Sequence, residues 1–191
     1  MAALLLLATG GVASEGWWSL QPLAKVDLPS DGLAKHPIDA FVQQRLAKAG
    51  LAPSPLAEPR TLIRRLHFDL LGLPPSPDTV AEFAANPTDP AYHQLIDRLL
   101  ASPRYGERWA RHWLDVARYG ESNGFEYNEP RRNAWPYRDW IIDSLNADMP
   151  YDEFARMQIA GDILRPGRKG TAAVGFLVAG THNTVLGASP L

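Results

Sequence analysis

Apolar side chains recur at three- and four-residue steps along most of the chain, and alternating stretches are essentially missing. That pattern predicts helices and no strands. Over residues 37–49, Ile38, Phe41, Val42 and Leu46 share one face, and Gly50 closes the segment. Over residues 59–71 the inward set is Leu62, Ile63, Leu66 and Leu70, with Gly72 as terminator. Leu73-Pro74-Pro75-Ser76-Pro77 is a stiff connector into a short third helix carrying Val80 and Phe83. The fourth, over residues 90–101, is expected to bury Tyr92, Leu95, Ile96, Leu99 and Leu100, and the fifth runs from Pro103 to about Tyr119. A loop of Gly, Asn, Glu and Pro reaches Asn133. A sixth helix then carries Trp140, Ile141 and Leu145, a seventh Phe154, Met157 and Ile159, and residues 171–179 form an eighth. Pro37, Pro59, Pro77, Pro90 and Pro103 stand where first helical residues belong, because proline has a fixed φ and no N–H to leave unpaired. Ser76, Asp89 and Ser102 precede three of them as N-caps. No heptad persists and no repeat has a solenoid period. The expectation is an all-α fold, a compact array of about seven or eight helices with an extended N-terminal arm.

The arm has an address in front of it. Residues 2–13 read AALLLLATGGVA, an apolar run that ends in small residues. This predicts a signal peptide over residues 1–14, although no Lys or Arg precedes the run. Export to the periplasm or cell envelope follows as an expectation. The run is too short to cross a bilayer as a helix, and no transmembrane span is expected in the mature chain. Residues 15–36 form the arm, with Trp17 and Trp18 expected to anchor it. The helical domain then fills residues 37–180, and residues 181–191 are a tail.

Composition narrows the chemistry. With 191 residues and 46% hydrophobic content the chain suits one folded domain. It has no cysteine, which excludes disulfides, thiolate metal sites, covalently attached haem and a cysteine nucleophile within it. A net charge of −2 argues against a nucleic-acid partner. Walker loops, dinucleotide fingerprints, nucleophile elbows and paired-histidine zinc helices are all missing from the sequence.

Residues 102–140 are the unusual stretch. They hold four of the six tryptophans, and seven arginines against six acids, which is a balanced ionic network laid over aromatics. On the fifth helix, Tyr105, Trp109, Trp113 and Val116 fall on one side with Gly120 beyond them, and that side is predicted to be core. His112 sits at its edge. Asp115 is in register to pair with Arg111 or Arg118, and His112 to reach Asp115. His112 with Asp115 reads as an oriented acid–base pair, as half a metal site, or as part of an ion network that fixes helix packing. In the following loop, Glu121, Glu126 and Glu129 are candidate carboxylates for hydrolysis, beside Asn123, Tyr127 and Trp135 as carbohydrate contacts. The other reading is an ordered loop whose acids answer Arg131, Arg132 and Arg138. The candidate catalytic set is therefore His112, Asp115, Glu121 and Glu126. The candidate binding set is Arg108, Arg111, Arg118, Asn123, Tyr127, Trp135 and Arg138, with no metal ligands.

These segments carry a resemblance. His36-Pro37-Ile38-Asp39-Ala40-Phe41-Val42 belongs to it, as do Thr61-Leu62-Ile63-Arg64-Arg65-Leu66 and Asp69-Leu70-Leu71-Gly72-Leu73-Pro74-Pro75. The long run from Leu99 through Arg104-Tyr105-Gly106-Glu107-Arg108-Trp109 to Asp115, then Ala117-Arg118-Tyr119 and Glu121-Ser122-Asn123-Gly124, is its most specific part. Asn133-Ala134-Trp135, Tyr137-Arg138-Asp139, Pro150-Tyr151-Asp152 and Ala160-Gly161-Asp162 complete it. From about Trp17 to Gly180 the chain resembles the planctomycete cytochrome-c-associated domain of unknown function, the second domain so named. The resemblance implies an exported protein whose downstream or neighbouring domains carry haem c, with no cofactor in this chain. Its partners would be downstream domains of the same polypeptide and a cytochrome c module. It also implies that Leu191 interrupts a longer pattern. No catalytic residue follows from it. The expected role is an accessory or binding scaffold. The alternatives are a hydrolytic domain acting on extracellular polysaccharide or another polymer, and a cell-envelope interaction domain.

Overall fold

The computed structural model describes residues 17–29, 36–124 and 129–180. The expected leader, the tail with His182, Glu126 and Tyr127 lie outside the described residues. The chain divides into two units, Met1–Leu56 and Ala57–Leu191. Among the described residues there are eight α-helices and no strand.

The first unit holds a single 3-10 turn, Trp18–Leu20, and helix α1, Pro37–Lys48. His36 caps α1: its Nδ1 accepts from the Ile38 N–H at 3.2 Å. Two expectations fail here. Trp17 and Trp18 are 66% and 86% exposed, so neither ring is an anchor. Ile38, Phe41 and Val42 are also exposed, and the buried residue is Ala40. At 100° per residue Ala40 lies across the helix from that apolar stripe, so the covered side of α1 is the small one.

The second unit begins with α2 (Pro59–Leu71), α3 (Pro77–Ala85) and α4 (Asp89–Leu100). Their starts follow the proline rule. Ser76 accepts from the Thr79 N–H at 3.2 Å. At α4 the cap is Thr88 rather than Asp89, with Thr88 Oγ1 accepting from Ala91 at 3.4 Å, because Pro90 occupies the second helical position. Gly72 stops α2 at φ 70°, a left-handed conformation that costs glycine little. Ile63, Phe83, Leu95 and Leu99 form the closed centre, with Leu62, Leu66, Leu70, Val80 and Tyr92 packed around it. Leu100 is left exposed at the end of α4.

The second core gathers α5 (Pro103–Val116), α6 (Trp135–Asn146), α7 (Tyr151–Leu164), α8 (Arg168–Ala173) and a 3-10 turn, Val174–Val178. Ala110, Tyr137, Trp140, Ile141, Phe154, Met157, Ala173 and Ala179 are its buried members. The face of α5 turned to this core is only partly the predicted one: Trp113 packs into it as expected, but Trp109 and Val116 do not. Gly106 and Ala110 are buried, whereas Trp109 is 40% and Val116 75% exposed. The reason is a close crossing with α6. A Cβ on Gly106 would stand 2.5 Å from the Ile142 carbonyl oxygen. The Gly106 N–H donates to Asn146 Oδ1 at 2.8 Å, and Asn146 Nδ2 donates to the Pro103 carbonyl at 3.0 Å. At the crossing point itself, backbones that approach this closely leave no room for a side chain at Gly106.

α5 also ends three residues early. Arg118 takes φ 55°, the Arg118 N–H donates to the Asp115 carbonyl, and the Tyr119 N–H donates to the Leu114 carbonyl at 2.9 Å. This bond pair is a Schellman stop with arginine where glycine is usual. Ile159, expected inward on α7, is exposed. Backbone at Ala160 leaves helical geometry, and Gly161 packs against Gly170 of α8 instead.

Candidate functional site

Three polar side chains meet inside the second core. Trp113 Nε1 donates to Gln158 Oε1 at 2.8 Å and lies 3.2 Å from the Tyr137 hydroxyl. Tyr137 donates to the same Gln158 oxygen at 2.7 Å. Gln158 Nε2 donates to the Phe154 carbonyl at 3.3 Å. Every polar end in the group has a partner, as a dry interior requires. Burial pushes the Tyr137 hydroxyl up to about 12. The group fixes helix positions and offers no open reactive atom.

A second polar cluster lies where the chain leaves α5. Arg131 reaches backbone carbonyls rather than acids. Its Nη1 donates to Gly120 at 3.2 Å, Ala179 at 2.7 Å and Gly180 at 2.9 Å, and its Nη2 donates to Val178. One guanidinium thus satisfies the carbonyls at the end of the 3-10 turn. Glu121 Oε1 accepts from Arg138 and, at 3.2 Å, from the Tyr119 hydroxyl. Arg138 also holds Asp139 Oδ1, at 3.0 Å through Nε and 2.9 Å through Nη2. Burial first, and the Glu121 carboxylate next, push the Tyr119 hydroxyl up to about 12. Among the described residues, then, Arg138, on α6, answers a loop acid as expected, whereas Arg131 binds carbonyls instead.

The other candidates scatter. His112 and Asp115 are exposed on α5, and no hydrogen bond or ion pair joins them or ties Asp115 to Arg111 or Arg118 among the described residues. The His112 ring packs on Trp109, centroids 5.3 Å apart. Arg111 and Arg118 point to solvent. Arg108 lies across Gly72, where a Cβ would stand 2.7 Å from its Cδ, and its Nε is buried without a hydrogen-bond partner. Asn123 is half-buried, and its N–H donates to the Glu129 carbonyl at 3.0 Å, beside the antiparallel bridge of Ser122 and Pro130. Trp135 opens α6, with the Arg168 guanidinium 5.4 Å from its ring centre. The structure brings Glu121 and Arg138 together, and none of His112, Asp115, Arg108 and Trp135 shares a hydrogen bond or ion pair with them among the described residues.

Beside Trp135 lies a groove of about 410 Å³, with Trp140, Met149 and Met157 in its floor and Asp143, Arg168 and Lys169 on its walls. Apart from Trp135, none of these stood out in the sequence as a binding residue. Asp143, Arg168 and Lys169 sit on two helices far apart in the chain, and no short motif links them.

Among the described residues, no group of three or more His, Cys, Asp or Glu is placed to hold a metal ion. No described helix is long and apolar enough to cross a membrane. No curated protein and no solved structure matches the chain. Residues 37–189 match the sequence pattern of PSCyt2, described as a protein of unknown function (DUF1549). The match starts at α1 rather than at Trp17 and spans most of the chain. With its all-α fold, the chain belongs to the PSCyt2 (DUF1549) family.

Proposed function

We propose that this chain is an accessory binding scaffold of an exported polypeptide, and that it docks a c-type cytochrome module on the open face of α5. One observation carries the reading. Tyr105, Trp109 and Val116 repeat at core spacing, yet Trp109 and Val116 are exposed because Gly106 and Ala110 take the inward side. A tryptophan and a valine left open on a well-packed helix are what a partner surface covers, at about 25 cal/mol for each Å² of apolar area removed from water. The exported setting rests on the apolar leader, and the cytochrome partner on the resemblance. The chain has no cysteine for thioether attachment, so c-type haem would belong to the partner module.

The hydrolytic alternative has less behind it. His112 and Asp115 share no hydrogen bond, and the Glu121 carboxylate is engaged by Arg138 and Tyr119. Among the described candidates, His112, Asp115 and Glu121, no carboxylate is thereby poised as acid opposite a base.

The test is made on the polypeptide purified from its native host. After reduction it is expected to show c-type haem absorbance. Oxidative footprinting is expected to modify Trp109 readily in the chain alone and slowly in the native polypeptide. A preparation free of haem would remove the cytochrome partner. Equal modification in both forms would remove the α5 face as the docking site.

A further inference from the structure

We infer that the groove between α6 and α8 binds a monocarboxylate with an apolar body. Its floor is apolar and tightly held: Trp140 and Met157 are buried, and Met149 is half-buried beside them. At about 410 Å³ it falls in the range of small-molecule sites. Its charges are unevenly committed. Arg165, at one end, is paired with Glu153, and Asp139 is paired with Arg138. Arg168 and Lys169 on α8 have no acid partner among the described residues, and Asp143 on α6 has no basic one. Two uncommitted cations therefore face a single uncommitted carboxylate across an apolar floor.

That distribution selects the ligand. A carboxylate head finds Arg168 and Lys169 on the α8 wall, where a planar guanidinium suits two oxygens. The body of the ligand lies on Trp140, Met149 and Met157, and methionine adapts to irregular shapes. Asp143 repels a second negative charge on the opposite wall, which disfavours dicarboxylates. Trp135 holds the Arg168 guanidinium by a cation–π contact at the mouth, so this head-binding group is ordered before the ligand arrives. The site is separate from the α5 face and stands whether or not that face docks a partner.

Octanoate, octylammonium and octan-1-ol are the probes, titrated into the chain and followed by amide and indole NMR shifts. Octanoate is expected to shift the Trp135 indole and the α8 amides, and octylammonium is not. Replacing Arg168 and Lys169 by Gln together is expected to weaken octanoate binding about tenfold or more, the size of a lost charge-assisted contact. Asp143→Asn is expected to tighten it, which keeps the charge argument testable if the double variant folds poorly. Octan-1-ol or octylammonium binding as well as octanoate would overturn the inference, as would octanoate shifts that lie elsewhere or an Asp143→Asn variant that binds octanoate less well.

Discussion

The two cores of the second unit are built by opposite means. The α2–α4 core closes on Ile63, Phe83, Leu95 and Leu99, large side chains that meet from three helices. The α5–α8 core closes partly on what is missing: Gly106 against α6, and Gly161 against Gly170, where a Cβ on Gly170 would stand 2.2 Å from the Gly161 carbonyl oxygen. Into the space between the backbones go stacked rings, Trp140 on Phe154 at 5.3 Å, and the hydrogen-bonded group of Trp113, Tyr137 and Gln158. A core of bulky aliphatics announces its inward face by hydrophobic period. In the α5–α8 core the period still marks Trp140, Ile141, Phe154 and Met157, but not the crossing of α5 with α6, where the residue nearest the partner is the smallest on the helix.

The largest effect is expected in the first core. Ile63→Ala should lower unfolding free energy by about 2–5 kcal/mol, read from a urea transition, since Ile63 is fully buried and its loss leaves a cavity. In the second core the sign of the volume change reverses. Gly106→Ala adds one methyl and should cost about 1–3 kcal/mol, through contact with the Ile142 carbonyl and loss of the Asn146 clasp. If Gly106→Ala is neutral, the close crossing is not what sets the face of α5.

A pH series separates the cores further. His67, on α2, is buried with Nε2 unpaired, and burial first, then Arg98, hold it below the ordinary 6.5. The unfolded chain then binds the extra proton, so stability is complete above about pH 6.5 and falls as pH drops below that value. His67→Leu should flatten this slope in thermal midpoints taken between pH 7.5 and 5.5, and an unchanged slope would assign it elsewhere. The smallest effect is expected at Trp109→Ala. Hydrophobic period alone makes Trp109 a core residue worth about 3–5 kcal/mol. With 40% of the Trp109 surface open, the substitution should instead cost only about 1 kcal/mol.

Much of the fold was legible in particular residues. The proline positions set the starts of α1, α2, α3 and α5, and Gly72 set the end of α2. The end of α5 was not legible, because Arg118 holds a conformation that sequence assigns to glycine. The candidate site was legible only as a region. Glu121 and Arg138, 17 residues apart, do meet, but Arg131 turns to carbonyls and no motif marks the groove cations of α8. Pairings between distant segments depend on where helices cross, and period carries no information on that.

By itself the sequence determined an all-α chain, the starts of most helices, the aliphatic centre of α2–α4 and the family. These rest on local rules: backbone sterics at proline and glycine, and the 3.6-residue period of buried aliphatics. The tertiary structure alone decided that Gly106 and Ala110 rather than Trp109 and Val116 meet the core, which arginine clamps the final turn, and that Asp143, Arg168 and Lys169 line one groove. Each of these follows from how closely two backbones approach, and that distance is set jointly by residues remote in the chain.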